Sequence, residues 1–412
     1  MKTGAIIELV STRSGTATRP VRVFMMDLLS IVPYYTAHLC AALAKRTDVD
    51  IEIGSIRYYL DPNCFARLGL RLSPGPLDVV SRFARIPSNL RRLFKTLECA
   101  GNMAWLAVRF IIDKPGIVHV QFLPLMLFGF PFELWLLSFA HRRGIKIVYT
   151  VHNVLPHDTG ERHRRLYRKL YTLADRLICH DAAAKGRLIE QFGQDASRIS
   201  IIPHGQLHAP GSNDSQREAR RRLGLPSDEC VVLWQGILAP YKGVGFLLDT
   251  WRTVSAANPQ ARLAIVGGGD ARVAREIRGK VESLGLNGSV RLELRFITVP
   301  ELEDFHSAAD ILVYPYADAT TSGALMTGIG YGKAIVATRT PAFEQILKHN
   351  DNALLTSYGD TDEFSGELNR LIGDADLRQR LGERLRHSQI TSWEAIAAMT
   401  AACYAGVSEV SS

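Results

Sequence analysis

A chain of 412 residues, 47% apolar and 22% charged, has room for two ordinary domains and is no disordered segment, collagen or coiled-coil rod. Its six cysteines, at 40, 64, 99, 179, 230 and 403, form no C-x-x-C pair and no cluster, against a zinc ribbon, a redox centre or a secreted disulfide framework. The net charge of +8 divides into +12 over residues 1–210 and −4 over the rest, so one half either meets an anionic partner or displays solvated helix faces.

No secretory signal is read at the start, where Glu8 interrupts the few apolar residues. Residues 21–26 predict a first strand, 35–46 a helix and 49–55 a second strand. From 77 to 112 apolar residues recur at helical spacing, with Arg82, Arg85, Arg91, Arg92 and Lys95 between them. Strand and helix then alternate: 116–121 and 131–143, 146–152 and 163–174, 177–180 and 183–192, closing on a strand at 199–203. The stretch 120–140 comes nearest to a membrane span, but Pro124, Gly129, Pro131 and Glu133 make it a strand end and a core helix.

A polar segment, 208–215, reads as a linker, and the basic stretch 217–222 as a solvated helix face. The pattern restarts with a strand at 230–235, a helix at 245–257, a strand at 262–266 and a helix at 271–284. A strand at 290–296, a helix at 301–309, a strand at 311–314, a helix from Ser322, a strand at 333–338 and terminal helices follow. This predicts an α/β chain of two doubly wound parallel sheets with a cleft between them. Ligands in such folds sit beyond the carboxyl ends of strands.

Three segments at such ends suit an anion. Gly267, Gly268 and Gly269 join a strand to a helix, although a tight turn explains them equally well and G-x-G-x-x-G is absent. From Gln235 to Gly243 a Gly- and Pro-shaped loop carries Lys242 to the start of a helix, offering a point charge and free amides. Thr321, Ser322 and Gly323 offer hydroxyls and amides at a helix start, where plain capping is the alternative. In the first half, His152-Asn153 and His204-Gly205 each follow a strand. A lone histidine at such a place is usually structural, but it can also touch a substrate hydroxyl or move a proton. His204 and His208 are no helical metal pair, because Gly205 and the nearby prolines oppose a helix, and no G-x-S-x-G elbow supports Ser322 as a nucleophile.

The order and spacing of these motifs resemble glycosyltransferase family 4, of the GT-B fold, most closely from 116 to 404. The carriers are the segments 118–121, 148–153, 202–205, 240–243 and 265–268, then Ala309-Asp310, Tyr314-Pro315-Tyr316, Ser322-Gly323 and 332–337. The resemblance implies two Rossmann-like domains, 1–208 for the acceptor and 209–390 for the nucleotide-sugar, with 391–412 as a helix returning to the first. It implies transfer of a sugar to a hydroxyl with retention, with no cofactor beyond the nucleotide-sugar and no metal. His152 and Lys242 are the expected catalytic residues. Gly236, Gly267, Gly268, Thr321, Ser322, Gly323, Arg295 and Glu344 join Lys242 on the donor side, and Tyr34, Tyr35, Asn153 and His204 stand on the acceptor side.

Three positions depart from the family pattern. Ile237 follows Gly236 where an arginine is usual, Ala319 and Thr327 replace paired glutamates, and Thr340-Pro341-Ala342-Phe343 replaces a Gly-Gly loop before Glu344. A branch of the family with Ser-Gly in place of the glutamate segment looks like this sequence, and Arg295 or Arg339 is the expected substitute cation. The partners implied are a nucleotide-sugar and a glycan or polyprenyl-linked acceptor of surface polysaccharide or glycolipid synthesis, with no nucleic acid. The location implied is cytoplasmic, peripheral to an anionic membrane through the basic, aromatic stretch from Arg82 to Arg109. A catalytically inactive sugar-nucleotide-binding partner subunit is the alternative.

Overall fold

The computed structural model describes residues 19–408 apart from 59, 74–76, 80–87, 156–159, 209–214, 320, 321 and 389. The first half is built from β1 (Val21–Asp27), α1 (Pro33–Leu43), β2 (Val49–Ser55), α2 (Ser88–Ile112) and β3 (Ile117–Val120). It continues with α3 (Phe132–Arg142), β4 (Lys146–Val151), α4 (Arg164–Leu173), β5 (Arg176–Cys179), α5 (Ala182–Phe192) and β6 (Ile199–Ile201). Its six strands lie in the order β2-β1-β3-β4-β5-β6, all parallel. The second half contains α6 (Gln216–Leu223), β7 (Cys230–Gln235), α7 (Val244–Ala257), β8 (Ala261–Val266), α8 (Ala271–Ser283), β9 (Val290–Glu293) and α9 (Val299–Ala308). Then come β10 (Ile311–Tyr314), α10 (Gly323–Tyr331), β11 (Ala334–Thr338), β12 (Leu354–Thr356), α11 (Thr361–Gly373), α12 (Ala375–Arg386) and α13 (Trp393–Ser408). This second parallel sheet has the order β12-β11-β10-β7-β8-β9.

The central strands are short apolar runs because helices cover both faces of each sheet. On one face of the first sheet, Phe24, Val118 and Tyr149 pack with Phe110 of α2, Leu137 of α3 and Leu170 of α4. On the other, Met25, Ile53 and Val148 meet Leu39 of α1 and Ile396 and Tyr404 of α13. The last helix therefore crosses back to the first half. The Trp393 indole N–H donates to the Gln206 carbonyl at 2.7 Å, and the Tyr404 hydroxyl lies 2.6 Å from His119 Nδ1. These two sheets, their flanking helices and the returning α13 make the GT-B arrangement that the resemblance implied.

Three expectations need correction. The helical reading from 77 does not hold for residues 77–79, which lie alongside α2, where the Asn102 side chain bonds both the amide and the carbonyl of Leu77; α2 is described from Ser88 onward, and 80–87 lie outside the described residues. Strand β12 has three residues, too few for a periodic signal. The basic stretch 217–222 is no solvated face throughout: Arg220 is buried, and its guanidinium donates to the carbonyls of Ala308 and Ser227 and to Asp310 Oδ2 at 2.6 Å. The same Asp310 oxygen accepts from the Val231 amide at 2.7 Å, so one carboxylate ties α6 to β7 and β10. Removing it strands a buried guanidinium. Asp310→Ala is expected to cost about 3–5 kcal/mol in urea unfolding, and a loss within experimental scatter would refute this role.

Candidate active site

In the second sheet the chain order reverses between β7 and β10, and the loops beyond these strands and β8 converge there. Their close fit depends on glycine. At Gly243 φ is +68°, and a Cβ would lie 1.7 Å from the Pro315 carbonyl oxygen beyond β10. At Gly267 φ is +140°, and a Cβ would lie 1.9 Å from the Gly236 carbonyl oxygen. Any side chain at either place would push the loops apart.

The ammonium of Lys242 is enclosed by this packing. The residue is 7% exposed, and its Nζ sits 3.3 Å from where a Cβ on Gly236 would be. Nζ donates to the Tyr316 hydroxyl at 2.9 Å and lies 4.6 Å from that ring's centre. Burial opposes the charge, but Tyr316 and Tyr241 more than offset it, so Lys242 titrates above its ordinary value. It has no carboxylate partner among the described residues. The Ser322 hydroxyl donates to the same Tyr316 oxygen at 3.3 Å and accepts the Leu325 amide at 3.1 Å, capping α10. Lys242, Tyr316 and Ser322 thus form one chain leading to a helix N-terminus, an arrangement suited to an anion.

The first sheet presents imidazoles to the same region. The ladder pairs Val151 with Cys179 and Cys179 with Ile201, so the residues just beyond β4, β5 and β6 stand side by side. His152 Nδ1 lies 3.3 Å from His180 Nε2, and the His180 and His204 rings are 5.2 Å apart. Tyr35 packs against all three at 4.9, 5.4 and 5.0 Å and against Trp393 at 5.3 Å. Behind them, His152 Nε2 lies 3.1 Å from Gln121 Oε1, and the Gln121 amide meets His119 Nε2 at 3.2 Å. Burial pulls every one of these histidines below its ordinary value, His119 and His204 to about 3. At neutral pH they are uncharged donors and acceptors.

The two halves meet at the tip of α10, where a Cβ on Gly323 would lie 2.8 Å from Leu207 Cδ1 and 4.0 Å from His204. Beside that contact a cavity of about 250 Å³ is lined by His180, Asp181 and His204 from the first half and by Ser322, Met326 and Phe343 from the second. Asp181 caps α5 with Oδ1, while its buried Oδ2 has no hydrogen-bond partner. Gln235 Oε1, at the end of β7, is also buried without one. Such orphans are costly unless a ligand meets them.

The structure therefore brings His152, His204 and Tyr35 together on one side, and Gly236, Lys242, Gly267, Ser322 and Gly323 on the other. Gly268 backs onto the Arg295 main chain. Tyr34 donates instead to Asp61 at 3.0 Å. Asn153 directly follows His152, and Thr321 lies outside the described residues. Neither expected substitute cation is free: Arg295 pairs with Glu301 and Glu293, and Arg339 with Glu344. Ile237, in the place of the usual arginine, is 68% exposed. Residue reading missed Tyr316, His180, Asp181 and Gln121 as site groups. His180 and Asp181 carried the same strand-end signal as His152-Asn153. No group of three or more His, Cys, Asp or Glu among the described residues is placed to hold a metal ion.

Two family models match the chain, Glycosyltransferase Family 4 over residues 32–205 and Glycosyl transferases group 1 over 229–374. A D-inositol 3-phosphate glycosyltransferase of Acidothermus cellulolyticus is 28% identical over 371 residues, 84% of this chain and 79% of that one. The enzyme of the same name from Thermobifida fusca is 27% identical over 62% of this chain, and the match spans 63% of its own length. Among solved structures, Anabaena HepE in complex with UDP-glucose superposes with a TM-score of 0.72 at 17% identity, over 93% of this chain and 99% of that one. A sucrose-phosphate synthase from Thermosynechococcus elongatus gives 0.71 at 20% identity, over 96% and 100%.

The buried imidazoles make stability depend on pH. The folded chain keeps His119 and His204 neutral down to about 3, whereas the unfolded chain protonates them from 6.5 downwards. Their contribution is complete above pH 6.5 and is lost as pH falls towards 3, at up to about 1.4 kcal/mol per pH unit for each. Denaturant unfolding across this range should show the slope, and His119→Gln should flatten it; an equally steep profile in that variant would sink the assignment.

Proposed function

This chain belongs to glycosyltransferase family 4, and from that premise we propose that it moves a sugar from a nucleotide-sugar to a hydroxyl of a glycan or lipid-linked acceptor, with retention of anomeric configuration. One observation carries the donor side. Lys242 is a buried ammonium whose neighbours are two tyrosine rings and a helix N-terminus, with no carboxylate partner among the described residues. An enclosed charge left in that state calls for an anion from outside the chain. A nucleoside diphosphate meets the requirement, with Lys242 and the α10 amides at its phosphates and Gly236 and Gly267 clearing space for them. HepE, which shares the fold, has been solved in complex with UDP-glucose.

In this reading the acceptor oxygen bonds to the anomeric carbon as the bond from that carbon to the diphosphate breaks. The acceptor proton passes to a departing phosphate oxygen. Lys242 stabilises charge that grows on the diphosphate, and no metal is required for it. His152, held neutral, keeps Nε2 on Gln121 and exchanges its 3.3 Å contact with His180 for a sugar hydroxyl at Nδ1. The buried Asp181 Oδ2 and His204, both at the cavity, suit a polyhydroxyl acceptor, for which inositol phosphates are natural first candidates given the named relatives. The product would belong to surface polysaccharide or glycolipid synthesis. Six free thiols, together with a nucleotide-sugar substrate, fit the cytoplasm.

Nucleoside diphosphate release by the purified chain, screened over UDP-, GDP- and ADP-sugars with glycan and inositol phosphate acceptors, should reveal the donor. Lys242→Ala should lower turnover about 10²–10³-fold with its melting behaviour intact, whereas EDTA should leave turnover unchanged. Undiminished turnover in Lys242→Ala would overturn the diphosphate role. Ile237→Arg restores a second cation at the exposed loop and should tighten binding of the released nucleotide about tenfold, a typical gain for one charge-assisted bond; isothermal titration reads this directly.

A further inference from the structure

Helix α2 runs for 25 residues, about 37 Å. Among its described side chains, every exposed one is apolar. Leu90, Leu93 and Leu97 lead to Ala100 and Ala104, and these to Val108 and Ile111, with Phe94 and Ile112 beside them. Steps of three and four residues are those of a coiled-coil seam. At about 100° per residue the whole set falls within about 60° of one line along the helix, and no charged residue falls within about 90° of it. Two flanking charges turn to the protein instead. Glu98 is 5% exposed and accepts the Val79 amide, while Arg109 donates to Glu52 at 2.5 Å and covers the Phe24 and Trp105 rings.

The sizes along this seam are nearly symmetric about its middle. Large side chains stand at both ends, and Ala100, Gly101 and Ala104 make a dip between them. Leu77 packs over Gly101 and walls one side of the dip. Turned end for end about Gly101, the stripe fits itself. Leu90 of one copy then meets Ile112 of the other, Phe94 meets Val108, and Leu97 fills the space beside Ala104. Parallel copies would set alanine on alanine and leave a void at the centre. The seven large side chains of the stripe are 43–80% exposed. At roughly 100 Å² of covered surface apiece they supply most of the about 800 Å² per partner that a standard interface needs. Phe130, Phe132 and Trp135, exposed on the neighbouring α3, widen the apolar surface further.

We propose that two copies of this chain pair through α2, antiparallel and two-fold, with the axis near Gly101. Register decides the occupant. A bilayer makes no use of three-and-four spacing or of a small-residue middle, and its headgroups favour cations along the edge of a stripe, where Arg109 is instead engaged by Glu52. A stripe whose sizes match its own reverse suits an isologous contact, in which each residue meets its counterpart twice. The inference goes beyond the transfer reaction and needs neither donor nor acceptor to be tested.

The test joins sedimentation equilibrium of the full chain over a concentration series with oxidative cross-linking of cysteine variants. The unaltered chain should sediment as a dimer that dissociates on dilution. Leu97→Ala, felt twice across the axis, should raise the dissociation constant roughly a hundredfold. Ala100→Cys lies near the axis and should cross-link to its own copy. Leu90→Cys alone should not, whereas Leu90→Cys mixed with Ile112→Cys should. The native cysteines are buried apart from the half-buried Cys230, and the unaltered chain gives the background. A monomer at every concentration overturns the proposal, and so does a dimer that Leu97→Ala leaves intact. Self-cross-linking of Leu90→Cys marks a parallel pair and overturns it too. A monomeric chain that binds phosphatidylglycerol vesicles assigns the face to lipid and does the same. If Leu97→Ala melts early, the cross-linking pattern, which uses only exposed positions, still decides.

Discussion

Lys242 holds a positive charge inside the second half of the molecule with only aromatic rings and a hydroxyl for company. Keeping an ammonium there is costly unless its surroundings are fixed and an anion can reach it. Much of the local architecture follows from that constraint. Gly236 leaves room for the side chain, Gly243 lets the loop close onto Pro315, and Gly267 lets the neighbouring loop press against Gly236. Tyr316 joins the ammonium to Ser322 and hence to the start of α10. The half of the chain with net charge −4 thereby offers a concentrated positive site.

The facing half solves a different problem. Its strand ends deliver neutral imidazoles, packed around Tyr35 and pinned from behind by Gln121, His119 and Tyr404. Burial strips these rings of charge and leaves them as neutral hydrogen-bonding groups. Because Tyr404 and Trp393 belong to the last helix, the final segment of the chain braces the first half's site. The close approach of Gly323 to His204 sets how near the two sets of groups come.

Away from the cleft, the outer face of α2 breaks the rule that a helix on a globular surface turns its polar side to water. Its inner face is apolar too, through Leu106 and Phe110, and beyond α3 lie Arg165, Arg168 and Lys169 of α4. The excess of +12 in this half is unevenly used, since Arg109, Arg164 and Arg198 are engaged internally while Arg165, Arg168 and Lys169 form no ion pair among the described residues.

The alternation of apolar runs and helical periods was enough to define two parallel sheets, because a strand buried on both faces must be apolar and a crossover must be a helix. Strand-end reasoning likewise singled out Lys242, Ser322, His152 and His204, which the fold gathers on two facing sets of loops. What it could not find were relationships between distant positions. Tyr316 becomes a site residue only because it reaches both Lys242 and Ser322, and Gln121 only because it reaches His152. Arg295 and Arg339 carried the right charge, yet Glu301 and Glu344 stand within reach and occupy them. The inward turn of Arg109 was hidden for the same reason. Periodicity shows that a stripe exists, whereas which stripe faces the sheet depends on the packing of Phe110, Leu106 and Asn102 against strands and segments far away in the chain. Local period and composition thus settle the fold class, the two sheets and the strand-end loops. Which charges stay unpaired and which surfaces stay apolar is settled by packing, because pairing and burial belong to residues brought together from different parts of the chain.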